Sequence, residues 1–172
     1  ADETVLRAHI DKASSATDTL VTIVDELLLL ASVRSERVTS TVINMGAITR
    51  DATARLEELL NRTEAKVEMP ADWPNAFGYG PWVTHIWSNY ISNAAKYAGP
   101  NAQITLGGEL SADGLTARFW VQDQGAGLTQ EEQDQLFTPF TRLQGVRATG
   151  AGLGLSIVRR IAERVKIGRA HV

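Results

Sequence analysis

The first 36 residues contain neither Gly nor Pro, and Leu6, Ile10, Ala13, Leu20, Ile23, Val24, Leu27, Leu30 and Ala31 recur on one side at helical spacing. The pattern predicts one long helix from Asp2 to about Glu36, with a seam too apolar to stand alone in water. Its partner is expected to be another chain or a segment N-terminal to this one. A coiled-coil-like rod at one end divides the chain into residues 1–38 and a separate packed body, 39–172.

The body alternates short elements. Thr39 to Met45 is β-branched and reads as a strand, residues 48–65 as one helix, and residues 66–70 as a strand closed by Pro70. Residues 71–81, rich in Pro, Gly and Asn, read as a loop. Trp82 to Tyr97 forms a helix ended by Gly99-Pro100. Two strands, 102–110 and 115–123, are joined by Ser111-Ala112-Asp113-Gly114, which has turn chemistry. Thr129 with Glu132 three positions on makes a capping box for a short helix. Residues 152–165 form the last helix, and 167–172 read as the start of another strand. This order predicts an α+β fold: a two-layer α/β sandwich whose mixed, mostly antiparallel sheet is covered by helices.

With 172 residues, 44% of them hydrophobic, the chain can bury a core. Net charge is -3 and no basic cluster occurs, so neither nucleic acid nor an anionic membrane surface is an expected partner. Cysteine is absent, which removes disulfides and thiolate metal sites and fits a reducing compartment. The longest apolar segment, Leu20 to Val33, is interrupted by Asp25 and Glu26 and is too short and polar to span a membrane. No signal peptide opens the chain. A cytoplasmic location without membrane insertion is expected for this segment, whether or not a longer parent carries an anchor.

Three stretches carry chemistry. In "GAGLGLSIVRR", Gly150, Gly152 and Gly154 lead into an amphipathic helix, an arrangement that offers backbone amides to a phosphate. The spacing is not that of a dinucleotide fingerprint, and Leu155-Ser156 does not supply the Lys of a P-loop. In "NYISNAAKY", Asn89, Asn93, Lys96 and Tyr97 share one helix face or its margin. A carboxamide oxygen is a suitable ligand for Mg²⁺ completed by phosphates, and Lys96 would meet phosphate charge. In "VQDQGAGL", Asp123 ends a strand and Gly125 and Gly127 follow. A partly buried carboxylate there could accept the exocyclic amino hydrogen of adenine and reject guanine.

Taken together and in this order, the three stretches resemble the N, G1 and G2 boxes of the ATP-binding domain of sensor histidine kinases, a Bergerat-type fold shared with gyrase and mismatch-repair ATPases. "LFTPFTR", Leu136 to Arg142, resembles the F box that lies between G1 and G2. The likeness runs from about Thr39 to Val165, and "DELLLLASV" resembles the end of the second helix of the kinase dimerisation hairpin.

The resemblance implies ATP and Mg²⁺ as cofactors, with Asn93 as metal ligand and Asn89 beside it. Lys96 and Arg142 would stabilise phosphate charge, Tyr97 would stack on adenine and Asp123 would read its amino group. Gly125, Gly127, Gly150, Gly152, Leu153, Gly154 and Leu155 would line the nucleotide, and residues 138–149 would form a lid. It further implies a homodimer through the helical hairpin, relay to a response regulator receiver domain, and sheet strands beyond the last helix.

Hydrolysing relatives resemble one another in a glutamate at the first N-box position. Asn89 cannot act as a base, which favours transfer to a protein acceptor. Kinases of this kind carry the acceptor histidine in an H-E/D-x-R/K-type motif on the first hairpin helix. His9, His85 and His171 do not stand in one, so the acceptor is expected outside this segment. The alternative is a module of the same fold that binds nucleotide without catalysis.

Overall fold

The computed structural model describes residues 2–35, 37–139, 141 and 152–164. The rod is α1 (Asp2–Ser35), about 51 Å long at 1.5 Å per residue. Only its last turns are covered: Leu29, Leu30 and Val33 pack on the body, while Leu6, Ile10, Leu20, Val24 and Leu28 stay exposed. The seam read from the sequence is therefore free for a partner helix.

The body follows as β1 (Thr41–Ile43), α2 (Met45–Ala54), α3 (Glu57–Thr63), β2 (Lys66–Glu68), β3 (Ala76–Gly78), α4 (Gly80–Tyr97), β4 (Gln103–Leu110), β5 (Ala117–Gln122), α5 (Gln130–Gln135) and α6 (Gly154–Arg164). The sheet has the order β2-β4-β5, with β2 parallel to β4 and β4 antiparallel to β5. Ile104 and Leu106 point inward and are buried, whereas Thr105 between them is exposed, so helices cover one face only. That is the two-layer α+β sandwich with a mixed sheet that the element order implies.

Three local readings are corrected. Residues 48–65 are two helices rather than one: the backbone turns at Arg55 and Leu56, where Leu56 N–H donates to Thr53 O at 3.0 Å. The break lets Leu56, Leu59 and Leu60 reach the core, and no Gly or Pro marks it. The first strand covers only Thr41–Ile43, because Asn44 caps α2 by accepting the Ala47 N–H at 3.0 Å. The stretch read as a loop, 71–81, contains β3, which pairs antiparallel with β1 through Val42 and Phe77. The hairpin and the capping box form as read, with Thr129 N–H donating to Glu132 Oε2 at 2.8 Å. The C-terminal strand expectation falls outside the described residues.

Two cores set the positions of the helices. One joins α2, α3 and α4 to the sheet through Met45, Leu60, Trp87, Ile91, Ile104 and Leu106. The other joins the end of α1, the start of α4 and α6 through Val33, Trp82, Leu153, Ile157 and Ile161. Trp73 and Trp87 meet edge to face at 5.6 Å. Trp120, expected in the core or against a helix, instead covers Gly107 on the outer side of the sheet, across the strand pair.

Candidate functional site

Helix α4 carries the first cluster. Pro81 stands in its first turn, where a missing N–H is harmless. Burial of Trp82, Val83, Trp87, Ile91, Ala94 and Ala95 fixes the helix rotation and leaves Asn89 and Asn93 half-buried at the margin of the inner face. Asn93 Nδ2 donates to Asn89 Oδ1 at 3.2 Å. The bond uses Asn93's nitrogen and leaves its Oδ1 without a partner among the described residues. This is the oxygen donor that a Mg²⁺ site completed by phosphates requires.

The second cluster follows β5. Strand pairing stops at Gln122, opposite Thr105, so Asp123 stands in the turn and is exposed rather than partly buried. Gly125 N–H donates to Asp123 Oδ1 at 2.7 Å, an Asx-type turn that orients the carboxylate. A Cβ on Gly125 would lie 3.4 Å from Ala98 Cα, which places this turn beside the end of α4 that carries Tyr97. Tyr97 is 50% exposed, so its ring is available to a ligand.

The third cluster opens α6. Gly152 and Gly127 have φ of +71° and +74°, backbone that side-chain-bearing residues rarely adopt. Leu153 is buried, and its carbonyl accepts from Ile157 N–H at 3.0 Å and Ser156 Oγ at 2.7 Å. The amides of Gly154, Leu155 and Ser156 precede the first intrahelical donor and stand at the positive end of the helix. A Cβ on Gly154 would overlap the Asn89 side-chain amide. The G2 glycine and the first N-box asparagine are thus in contact. Arg142, Gly150 and most of the lid lie outside the described residues.

Lys96 has a neighbour that the sequence reading missed. Burial pushes its ammonium below the usual lysine range, the Glu26 carboxylate of α1 opposes that, and Arg62 adds to it. Glu26 is raised by its own burial, with Lys96 pulling the other way, and Glu26 Oε2 is buried without a hydrogen-bond partner. No local pattern links residues so far apart in the chain. Of the histidines, His9 is exposed, with its ring bonded to Val5 O at 2.8 Å. His85 is half-buried, and burial lowers its pKa from 6.5. His171 lies outside the described residues.

Comparison with known proteins decides the family. The family described as "Histidine kinase-, DNA gyrase B-, and HSP90-like ATPase" matches residues 78–172, more than half of the chain. The chain belongs to this ATPase family. Within it, the adaptive-response sensory kinase SasA of Parasynechococcus marenigrum is 33% identical over 125 residues, covering 70% of this chain and 32% of that protein. The Acinetobacter baumannii histidine kinase AdeS has the same fold, with a TM-score of 0.72 at 20% identity over 96% of this chain and 76% of that one. Histidine kinase ThkA, solved in complex with response regulator protein TrrA, gives 0.67 at 24% identity over 91% and 43%. The chain spans about a third of the length of the curated relatives it matches. Among the described residues, no helix of this ATPase-family chain is long and apolar enough to cross a membrane.

Proposed function

We propose that this chain is the kinase core of a two-component sensor histidine kinase, with residues 1–38 as the second helix of a dimerisation hairpin and 39–172 as the ATP-binding domain. In this reading it binds Mg-ATP and transfers the γ-phosphoryl group to a histidine on such a hairpin, for relay to a response regulator aspartate. The observation that carries the reading is the meeting of Gly154 with Asn89, itself bonded to Asn93. It joins a row of carboxamides suited to a metal with a helix start suited to phosphate.

The residues divide the work. Asn93, with Asn89 beside it, would hold Mg²⁺, whose chemistry is to neutralise charge on the phosphates. The amides opening α6 would take phosphate oxygens, and Lys96 and Arg142 would add positive charge. Asp123 would accept from the adenine amino group while Tyr97 covers the ring. Phosphoryl transfer demands positioning and charge stabilisation more than covalent chemistry. Asn89, which cannot act as a base on water, favours transfer over hydrolysis. The exposed stripe of α1 supports a homodimer through the hairpin, and ThkA with TrrA is the precedent for a response regulator partner.

A second reading, a module that binds ATP without transferring it, is favoured by the three histidines, none of which stands in a phosphoacceptor motif. The test is an equilibrium titration of ATP and GTP, with and without Mg²⁺, followed by transfer to a supplied hairpin that bears an acceptor histidine. Mg²⁺-dependent ATP binding that excludes GTP, followed by labelling of the histidine, is expected. Binding without labelling supports the second reading, and no binding by the folded chain overturns both.

A further inference from the structure

The contact between α1 and α4 is incompletely satisfied. Leu29, Leu30 and Val33 pack with Trp82 and Ile86. One turn before Leu29, Glu26 Oε2 is buried without a hydrogen-bond partner, as are His85 Nε2 and Ser88 Oγ on α4. A cavity of about 270 Å³, walled by Leu29 and Ser32 of α1 and by Trp82, His85 and Ser88 of α4, opens into the same seam. Protein interiors are close-packed and satisfy their buried polar atoms. A seam with a void and three orphaned atoms is therefore where α1 would part from the body first.

Glu26 and Lys96 face each other across this region, near enough for each charge to be felt by the other. Arg62, the further charge acting on Lys96, has the same sign as the lysine and drives the ammonium towards whichever anion is available. Carboxylate and phosphate are both oxyanions, and one half-buried ammonium cannot fully serve two of them in different places. We propose that Glu26 is a positioning residue that competes with nucleotide phosphate for Lys96, so that seating of α1 on α4 and engagement of phosphate by Lys96 oppose each other. The inference rests on the reading of Lys96 as a phosphate-facing cation. Linkage makes the effect reciprocal: what weakens the hold of α1 on Lys96 tightens phosphate binding, and phosphate loosens the seat of α1.

The test is calorimetric titration of the full chain with Mg-ATP and with adenosine, which has no phosphate, for wild type, Glu26→Gln, Lys96→Gln and the double variant. The isosteric Glu26→Gln should bind Mg-ATP about three- to tenfold more tightly, as expected for removing one partly screened competing charge, and adenosine unchanged. In the Lys96→Gln background the gain should vanish. An unchanged Mg-ATP affinity, an equal gain for adenosine, or a gain that persists without Lys96 would each overturn the proposal. A second readout needs no nucleotide: in an NMR titration, the Lys96 ammonium should lose its proton at lower pH in Glu26→Gln than in wild type. An unmoved titration also overturns the proposal. If folded wild type fails to bind Mg-ATP, the site reading falls and the competition with it, while the NMR titration still decides whether Glu26 and Lys96 are coupled.

Discussion

Gly154, the first residue of α6, rests so closely on Asn89 of α4 that a methyl group on its Cα would overlap the asparagine side-chain amide. The two helices reach this point from different supports. Helix α4 is held along its length by the sheet core, and α6 by Leu153, Ile157 and Ile161 in the core shared with α1. The junction of phosphate-facing amides and carboxamides is therefore only as firm as the packing of both.

Gly154→Ala should force the helices apart, with a stability loss of about 1–3 kcal/mol from overpacking and at least about tenfold weaker Mg-ATP binding, one decade being about 1.4 kcal/mol. Thermal denaturation and calorimetry report the two effects. Adding Asn89→Ala removes the overlap, so the double variant should regain its melting temperature without regaining nucleotide affinity. Recovery of both would show that Asn89 is not a ligand-side residue.

Asp123→Asn should leave stability within about 0.5 kcal/mol of wild type, because the side chain is exposed. The new amide can still accept the Gly125 N–H, but it presents a donor where adenine also presents one. ATP affinity should fall by about 1–3 kcal/mol, the cost of an unmet polar contact, while GTP, already rejected, changes less. Equal losses for both nucleotides would deny Asp123 its part in base selection.

Thr129→Ala removes the capping box of α5, worth about 1 kcal/mol to that helix. No residue of α5 is buried, so the loss should stay local. Hydrogen exchange across residues 130–135 should accelerate while the global melting temperature hardly moves.

The pH dependence should carry a mark of His85. Burial lowers its pKa from 6.5, and its Nε2 has no partner to share a proton, so the unfolded chain binds that proton more tightly than the folded one. Stability is then full above about pH 6.5 and declines as pH falls from there towards the lowered folded value. Urea unfolding between about pH 7 and pH 5 should show that slope in wild type and a shallower one in His85→Gln, a residue that does not titrate there. Identical slopes would place the acid sensitivity elsewhere.

The elements with strong local signals were legible before any coordinates. The rod shows in its period and the absence of Gly and Pro, the β4–β5 hairpin in its turn, and α5 in its cap. Strand β3 was not, because Ala76-Phe77-Gly78 becomes a strand only by pairing with Thr41–Ile43. The break between α2 and α3 was hidden for a similar reason, since the leucines after it are turned by the core and no residue type marks the place. In the candidate site, the asparagine pair and the glycine-led helix could be read from residue type and spacing. The exposure of Asp123 and the proximity of Glu26 to Lys96 could not.

The sequence by itself determined where most helices and strands form, which side of the rod is apolar, and which residues could bear nucleotide chemistry, because period, caps and turn residues act over a few neighbouring positions. Only the tertiary structure decided that Gly154 touches Asn89, that Gly125 lies beside the end of α4, and that a carboxylate of the rod stands by Lys96. Each of these depends on where two separate cores place residues distant in the chain, and packing of that range leaves no local pattern to read.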